Sequence, residues 1–420
     1  MPNTLTSGRA ASLWRHRDFL LLWAGGSAND LGSAVSTLLI PLIAVNGLRA
    51  TTLQVALLGL ARRLPAVVVA LPAGLVADRV PRRRLMVLCD VLSLAGVASI
   101  PLVAVSMSVP LWQLYLVTAF VGTVRGFFDI ADQSLLPSLV TGDQLVDANG
   151  KLRVTETASD TAGPALGAVL AGALGAARAV AVDAASYAVS ALTLLAIRTP
   201  DPTPVAAKGS GPRLRTAVAE GLQFVRKDRV LRAVTAATAT ANLGILAVVS
   251  LEVVYLVRQL HASPTQVGVV IGAGVLGGVI GSLLAKPVAD RLGTPRAMWL
   301  PLVLCAPFAL LMPLASPGWG LVLYSLGWAV FNGGGSVYQA SQMAYRQAVV
   351  PPELLGRVNA AIRWIVWSTM PLGALLGGLL GTWIGLRPTL WAATAALACS
   401  GLWLLASPLR RMNSAPALDH

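Results

Sequence analysis

The sequence has little charge for its length. Asp, Glu, Lys and Arg make up 12% of its 420 residues, 55% of the residues are hydrophobic, and the mean hydropathy is +0.71. This balance excludes a soluble domain with a water-facing shell, because such a domain carries about 25% charged residues. Most of the chain is therefore predicted to lie in lipid.

The chain also lacks the motifs of two common energy-coupling devices. Its one Gly-Lys pair, Gly150-Lys151, is followed by Leu152, so the phosphate-binding loop Gly-x-x-x-x-Gly-Lys-Ser/Thr is absent and ATP drive within this chain is not expected. A buried histidine proton relay is excluded too, because all three histidines lie in polar ends or loops: His16, His261 and His420. If protons drive the protein, carboxylates must carry them.

Cysteine is scarce, and its positions predict no further chemistry. The three cysteines sit in or beside apolar runs at unrelated spacings, which suggests neither a disulfide framework nor a metal site: Cys89, Cys305 and Cys399. No cofactor is expected. Met1 to Asp18 is polar and basic and the first apolar run is full length, so no cleavable signal peptide is predicted.

Long apolar runs, by contrast, fill the chain. A bilayer-spanning helix takes roughly 20 residues, and twelve candidates lie at 19–45, 53–77, 85–107, 110–131, 154–175, 178–197, 231–257, 266–289, 296–315, 318–342, 361–385 and 388–407. They predict an all-α membrane protein with six helices in each half. The predicted domains are an N-terminal bundle at 1–197, a cytoplasmic linker with an amphipathic helix at 198–229, a C-terminal bundle at 230–407 and a cytoplasmic tail at 408–420.

The distribution of positive charge predicts the orientation. If the N-terminus is cytoplasmic, the outer loops carry four of the 32 Lys and Arg residues: Arg49, Arg178, Arg258 and Arg387. This bias places both termini in the cytoplasm of a multi-pass protein of the cell (inner or plasma) membrane. The net charge of +14 is scattered over short loops beside membrane ends, so membrane lipid is an expected partner and nucleic acid is not.

Two pairs of stretches repeat at an offset of roughly 210 residues. Gly74 to Arg84 reads Gly-Leu-Val-Ala-Asp-Arg-Val-Pro-Arg-Arg-Arg, and Lys286 to Gly293 reads Lys-Pro-Val-Ala-Asp-Arg-Leu-Gly. The stretch 163–172, Gly-Pro-Ala-Leu-Gly-Ala-Val-Leu-Ala-Gly, likewise parallels 371–378, Pro-Leu-Gly-Ala-Leu-Leu-Gly-Gly. The chain is therefore predicted to consist of two similar halves.

The run at 74–84 resembles the signature loop between helices two and three of the major facilitator superfamily, and the predicted helices make this resemblance cover the whole chain. Arg17-Asp18-Phe19, Leu136-Pro137 and the segment 220–224 are similar to a branch that includes enterobactin exporters and macrolide-efflux proteins. The resemblance implies two six-helix bundles in the major facilitator fold, a transporter rather than an enzyme, and alternating access.

The resemblance also gives the signature loop a gating role, because in the family this loop stabilises the outward-facing state. The residues concerned in the two copies are Gly74, Asp78, Arg79, Arg83, Asp290 and Arg291. A carboxylate at a helix end can pair with a helix N-terminus or an arginine, while loop arginines face lipid phosphates. The alternative is that the loop determines topology only. The second copy has Lys286 in place of the glycine.

A ladder of small residues on helix five resembles a motif of exporters that exchange substrate for protons. The family motif ends in Gly-Pro-x-x-Gly-Gly, and this chain has Ser159 and Ala168 in place of two glycines. The other members are Gly150, Gly163, Pro164 and Gly167. Small residues let helix backbones approach closely, so we expect contact across the interface between the halves. The ladder favours export over uptake.

Asp30 is predicted to form an ion pair inside the membrane. It shares a helix face with Ser33 and Thr37 near the middle of helix one, and a carboxylate there is costly unless it is paired or faces water. Arg62 and Arg63 lie at similar depth on the antiparallel helix two, so one of them is the expected partner. The pair is either a proton-responsive switch, in which protonation of Asp30 frees an arginine, or a permanent salt bridge.

Helix four carries one polar stripe. Its members recur at alternating spacings of three and four: Tyr115, Thr118, Gly122, Arg125, Asp129 and Asp132. Arg125 and Asp129 are spaced to pair within the helix. Because helix four lines the central cavity in the superfamily, the resemblance implies a substrate or proton route here. The alternative is that the acidic end of the stripe reaches the cytosol.

The second half offers two further stripes. Candidate cavity or coupling residues are Thr238, Asn242 and Glu252 on helix seven, and Trp328, Asn332 and Gln339 on helix ten, where a run of three glycines at 333–335 can flex. Glu252 is either a coupling residue or an interfacial one. Trp328, Trp364 and Trp367 either form an aromatic wall for an amphipathic substrate or anchor helix ends at the interface.

Together these features predict a monomeric secondary active exporter. It exchanges an amphipathic small molecule, such as an antibiotic or a siderophore, for protons. Uptake or proton-independent transport on the same fold is the alternative. A membrane receptor or an intramembrane enzyme is a more distant one, because the chain has no sizeable soluble domain and no buried histidine for a catalytic site.

Overall fold

The computed structural model describes residues 13–77, 80–140, 142–200 and 214–412, and every regular element in these ranges is helical. The helices are α1 (Arg17–Leu42), α2 (Thr52–Ala77), α3 (Arg82–Ser106), α4 (Leu111–Leu139), α5 (Gly142–Leu174), α6 (Ala176–Ala179), α7 (Ala181–Ala196), α8 (Leu214–Lys227), α9 (Arg229–Arg258), α10 (Pro264–Leu292), α11 (Thr294–Cys305), α12 (Gly320–Val349), α13 (Pro352–Trp383), α14 (Leu386–Ser400) and α15 (Leu402–Leu405). A π-helical turn (Ile43–Gly47) extends α1, and 3-10 turns follow α11 (Ala306–Leu311) and α15 (Pro408–Arg411).

Within the described part of the chain, nine helices or helix pairs are long and apolar enough to cross a membrane. The predicted spans that do not meet this measure lie in α2, α5 and α12, which are 26, 33 and 30 residues long. The first half of α5 is highly charged, as Asp147, Lys151, Arg153 and Glu156 show. Length alone would let all three helices cross a bilayer, so the count of twelve spans stays a prediction.

The chain packs as two compact units. Unit 1 comprises Met1–Ile40 and Ala61–Ala207, and unit 2 comprises Pro41–Leu60 and Lys208–His420. The end of α1 and the start of α2 thus belong to unit 2, where Arg258 donates a hydrogen bond to the Ala50 carbonyl at 2.6 Å. The predicted domain limits, with a division in the linker at 198–229, did not anticipate this placement of residues 41–60.

One end of unit 1 is joined by polar contacts to the end of α7. Asp18, in the first turn of α1, accepts hydrogen bonds from the backbone N–H groups of Arg198 at 3.2 Å and Thr199 at 2.8 Å. Arg83, in the first turn of α3, donates to the Ile197 carbonyl. The carbonyl at a helix end lacks an intrahelical donor, so these contacts satisfy it and hold three helix ends together.

The linker helix α8 packs on α13 in unit 2. Glu220 forms an ion pair with Arg357, and a Cβ at Gly221 would overlap the Arg357 carbonyl. Gly221 therefore allows the two backbones to approach closely. The sequence predicted a basic helix on the membrane surface, and the structure adds a specific protein contact to that amphipathic helix.

Glycines set the closest helix contacts in both units. In unit 1 a Cβ at Gly163 of α5 would overlap Ala34 of α1, and in unit 2 a Cβ at Gly373 of α13 would overlap the Leu243 carbonyl of α9. These two contacts lie inside one unit each. Gly378 of α13, in the second copy of the repeat, packs against Ala56 of α2 within unit 2, so a small residue of the second half of the sequence does contact the first half. Gly150 is an exception within the predicted ladder, because the space around it is open.

Candidate functional site

The guanidinium of Arg125 is the centre of a polar cluster in unit 1. Its Nη2 atom lies 3.3 Å from Asp30 Oδ1 on α1, and its Nε atom lies 2.7 Å from Asp129 Oδ1 one turn along α4. Its Nη1 atom donates to Asn29 Oδ1 at 3.2 Å, and the ring of Phe128 lies 5.5 Å from the guanidinium carbon. One cation thus joins α1 to α4, and the expected Arg125–Asp129 pair within α4 is present.

The partner of Asp30 differs from the one that the sequence suggested. Arg62 was an expected partner, but it donates from Nη1 to the Thr37 hydroxyl and from Nη2 to the Ser33 carbonyl at 3.4 Å. Thr37 lies about two turns beyond Asp30, or roughly 10 Å along the helix axis. Arg62 therefore contacts α1 about one to two turns beyond Asp30, while Asp30 pairs with Arg125.

The packing of α4 explains this arrangement. A Cβ at Gly122 would overlap the Arg62 carbonyl, so the backbone of α4 contacts α2 at that level. Arg125 follows about one turn later on α4, and its guanidinium contacts the Asp30 carboxylate on α1. The other expected partner, Arg63, has an exposed side chain on α2.

A buried acid extends the cluster towards α3 and α7. Asn29 Nδ2 donates to Asp90 Oδ1 at 3.3 Å, and Asp90 Oδ2 is buried without a hydrogen-bond partner among the described residues, with Ser190 of α7 nearby. Asn29, Asp90 and Ser190 are each 1% exposed. The sequence analysis did not select Asp90, although an acid in the middle of an apolar run is by itself a signal of function. Asn29 carries no such signal.

Hydroxyl groups border the cluster on its other side. The Ser33 hydroxyl lies 3.4 Å from both Asn29 Oδ1 and the Tyr187 hydroxyl of α7. Tyr187 is buried and was not predicted. Thr118 of the predicted α4 stripe is buried and donates to the Leu114 carbonyl of its own helix, whereas Tyr115 is half-buried and has a partner.

Unit 2 holds a carboxylate in an uncharged setting. Glu252 of α9 is 5% exposed, and its Oε1 atom accepts from the Tyr324 hydroxyl of α12 at 3.5 Å. The Tyr324 ring stacks on Tyr255 with 6.1 Å between centroids. Glu252 is therefore a buried residue of unit 2.

Two other polar residues of α9 lie nearby in the sequence. The Thr238 hydroxyl lies 2.7 Å from the Tyr338 hydroxyl of α12 and also bonds to the Val234 carbonyl. Asn242 is half-buried on the same helix. The described contacts of Thr238 are therefore uncharged hydroxyl and carbonyl groups.

Trp328, one member of the predicted aromatic wall, packs against a neighbouring helix. Its side chain is 7% exposed, and its indole fills the space beside Gly274 of α10, where a Cβ would overlap it. Asn332 donates to the Trp328 carbonyl at 2.8 Å, and Gln339 is exposed. Trp364 is exposed on α13, and the side chain of Trp367 lies outside the described residues.

The glycine run on α12 serves helix packing. Gly333 and Gly277 of α10 approach each other, since a Cβ at Gly333 would lie 3.1 Å from the Gly277 carbonyl oxygen. Gly334 faces the Cys305 side chain of α11 in a similarly tight contact. These contacts give α12 a close interface with α10 and α11 at the glycine run.

The signature loop is only partly described. Asp78 and Arg79 lie outside the described residues, and Gly74 lies in the last turns of α2. In the second copy Asp290 forms an ion pair with Lys286 at 2.6 Å within α10, and both side chains are exposed. Arg291 is exposed as well. The lysine that replaces the glycine thus supplies a local partner for Asp290.

Comparisons with known proteins agree with this architecture. A sequence model of the family described as "transmembrane secretion effector" matches residues 9–419. The chain is 27% identical over 412 residues to the multidrug efflux pump Tap of Mycobacterium tuberculosis, covering 96% of each sequence. It is 22% identical over 374 residues to macrolide efflux protein A of Streptococcus pyogenes, covering 88% of this chain and 90% of that one.

A solved structure shows the same fold. The crystal structure of a bacterial homologue of the iron transporter ferroportin in the inward-facing state matches with a TM-score of 0.75. It covers 94% of this chain and 98% of that one at 18% identity. At this identity the likeness establishes the fold alone.

Proposed function

We propose that this chain, which belongs to the transmembrane secretion effector family of the major facilitator superfamily, exports amphipathic small molecules in exchange for protons. The protein is a multi-pass transporter of the cell membrane and not an enzyme. We further propose twelve membrane spans with both termini in the cytoplasm, and a monomer as the working form. Export rather than uptake is supported by the efflux relatives.

The Arg125 cluster is the observation that carries the proposal. The side chains of Arg125, Asp30 and Asp129 are 36%, 25% and 48% exposed. Charged groups within a membrane protein face water, a partner or a substrate, because exposure to lipid is costly. One cation set against two carboxylates leaves one negative charge, which a proton or a cationic substrate can neutralise.

Protonation of Asp30 would change the contact between α1 and α4. A neutral carboxyl group loses the charge-assisted bond to Arg125, while Asp129 keeps the guanidinium on α4. The link between two helices of unit 1 then weakens, and a conformation that does not require this link becomes more populated. Alternating access couples such a change to release of substrate on one side and of the proton on the other.

The relatives guide the proposed substrate class. Their printed names describe a multidrug efflux pump and a macrolide efflux protein, so antibiotics are the first class to test and siderophores the second. A net negative cluster bordered by the Ser33 and Tyr187 hydroxyls favours an amphipathic cation. Uptake or proton-independent transport remains the alternative that the experiment must separate.

The test is substrate-triggered proton movement in everted membrane vesicles. A pH reporter follows the gradient while antibiotics and siderophores are added to vesicles with the native chain, Asp30→Asn or Asp147→Asn. Asp147 is a matched control, because it is an acid paired with Lys151 on an exposed face of α5. We expect substrate to dissipate the gradient with the native chain and Asp147→Asn but not with Asp30→Asn. Efflux without proton movement in the native chain would contradict the coupling.

A further inference from the structure

A basic cavity of about 680 Å³ lies in unit 2 between the start of α9 and the last described residues of the chain. Four exposed arginines line it: Arg229, Arg232, Arg410 and Arg411. None of its lining residues is acidic. In the described part of the protein none of these arginines forms an ion pair with a carboxylate. The cavity is therefore positively charged without internal compensation.

The start of α9 places two of the four arginines beside a helix N-terminus. Asp228 caps the helix by accepting from the Leu231 backbone N–H at 2.8 Å, and the first turn itself contains no acid. The N-terminus of a helix carries a partial positive charge that favours anions and disfavours cations. Asp228 offsets part of this charge, and a bound anion would further offset the repulsion between Arg229, Arg232 and the helix end.

The opposite wall is held by a 3-10 turn. The Ser407 hydroxyl accepts from the Leu409 backbone N–H at 3.2 Å, and the Leu409 side chain is fully buried. This anchor presents Arg410 and Arg411, the next two residues, at the cavity. The arginines are therefore carried by two ordered elements far apart in the sequence.

Apolar side chains complete the cavity. Ala233, Ala236 and Leu405 lie beside the arginines, together with Trp403, whose indole N–H donates to the Thr240 hydroxyl at 3.1 Å. The Trp403 side chain remains half exposed at 52%. Tryptophan at a helix end beside arginines is typical of the depth of the lipid headgroups. A lipid at this depth offers both a charged headgroup and an apolar chain.

We propose that this cavity binds the phosphate headgroup of an anionic phospholipid, with the arginines on the phosphate and the apolar wall along the glycerol and the start of the acyl chains. Arginine suits this role, because its planar guanidinium binds phosphate oxygens in pairs. The proposal requires a membrane around the protein and is independent of the substrate and of proton coupling.

The test compares lipid retention by the full-length protein. The native chain and Arg232→Gln/Arg410→Gln are purified in detergent and titrated with phosphatidylglycerol or phosphatidylcholine, and bound lipid is counted by native mass spectrometry. Arg226→Gln/Lys227→Gln is the matched control, because it removes the same charge from the exposed end of α8, outside the cavity. Thermal unfolding of all variants in detergent verifies that each is folded.

We expect the native chain to prefer phosphatidylglycerol, and the cavity variant to bind it about tenfold more weakly. The control variant should stay within about twofold of the native affinity. Equal retention of the two lipids by the native chain, or equal losses in the two double variants, would overturn a specific cavity. Displacement of phosphatidylglycerol by equimolar glycerol phosphate would instead assign the cavity to a soluble phosphate and overturn the lipid proposal.

Discussion

The two units share a packing device and differ in charge. In unit 1 Gly163 brings α5 against α1, and in unit 2 Gly373 brings α13 against α9. The polar centre of unit 1 is the charged Arg125 cluster, whereas Glu252 in unit 2 contacts a tyrosine hydroxyl. Close helix packing is thus repeated in both units, whereas among the described residues the ion pair between Asp30 and Arg125 has no counterpart at Glu252.

The internal repeat shows which residues of unit 2 stand at the positions of Asp30 and Arg125. Roughly 210 residues after Asp30, α9 carries Asn242, and roughly 210 residues after Arg125, α12 carries its glycine run. An acid and its cationic partner are thus replaced together by uncharged residues. Joint replacement leaves no unpaired charge in the membrane, which would be costly. We infer that proton coupling is a specialisation of unit 1.

Removal of Arg125 should have the largest effect on this difference. Arg125→Gln leaves Asp30 and Asp129 without their shared cation, at a cost of about 2 kcal/mol or more for a partly exposed group. We expect transport to fall about a hundredfold, with partial recovery in Arg125→Lys. Drug efflux from cells with matched expression measures both. Arg153→Gln is the control, because Arg153 pairs with Glu156 on an exposed face of α5. An equal loss of transport in Arg153→Gln would show that the effect is not specific to Arg125.

Asp30→Asn should separate coupling from binding. The amide keeps the shape of the side chain and cannot take up a proton, so net uphill export should fall about tenfold or more. Exchange of labelled for unlabelled substrate across the membrane needs no net proton movement and should continue. Counterflow in proteoliposomes measures this exchange. Loss of counterflow together with uphill export would make Asp30 a binding or structural residue.

The shared packing device predicts equal losses of stability in the two units. Gly163→Ala and Gly373→Ala each place a Cβ against Ala34 or the Leu243 carbonyl, and overpacking of this kind costs about 1–3 kcal/mol. Thermal unfolding in detergent should therefore shift downward for both. Gly150→Ala, where the space is open, is the control and should leave the transition unchanged or raise it. A loss of stability in only one of the two variants would contradict the claim that both units use the same glycine packing.

Glu252→Gln should have the smallest effect. The glutamine oxygen can still accept from Tyr324, so the free energy of unfolding should change by less than about 1 kcal/mol and transport by less than about twofold. Initial rates of export at saturating substrate measure the transport effect. A loss similar to that of Asp30→Asn would place a second coupling carboxylate in unit 2.

Local patterns in the sequence predicted local structure well. The helical class, the Arg125–Asp129 spacing and the small residues at Gly163 and Gly373 depend on neighbours along one helix, and each has a clear counterpart in the structure. The linker and its amphipathic helix were also predicted from the sequence, whereas the ion pair between Glu220 and Arg357 was not.

Contacts between distant helices were less accessible. The partner of Asp30 was inferred from depth on adjacent helices, but α4 approaches α1 closely enough for Arg125 to reach it. Trp328 was predicted to line a cavity, whereas its indole occupies the space beside Gly274 of α10. In both cases the deciding quantity is which helix faces cross, and a single sequence specifies the faces without specifying their neighbours.

The most direct test of a coupling site confined to unit 1 is proton movement per substrate exported, measured in proteoliposomes with a pH dye and labelled substrate. The native chain, Asp30→Asn and Glu252→Gln are compared in the same lipid. We predict that Asp30→Asn abolishes proton movement while Glu252→Gln retains the native ratio. Native proton movement in Asp30→Asn, with its loss in Glu252→Gln, would contradict the assignment and move the coupling site to unit 2.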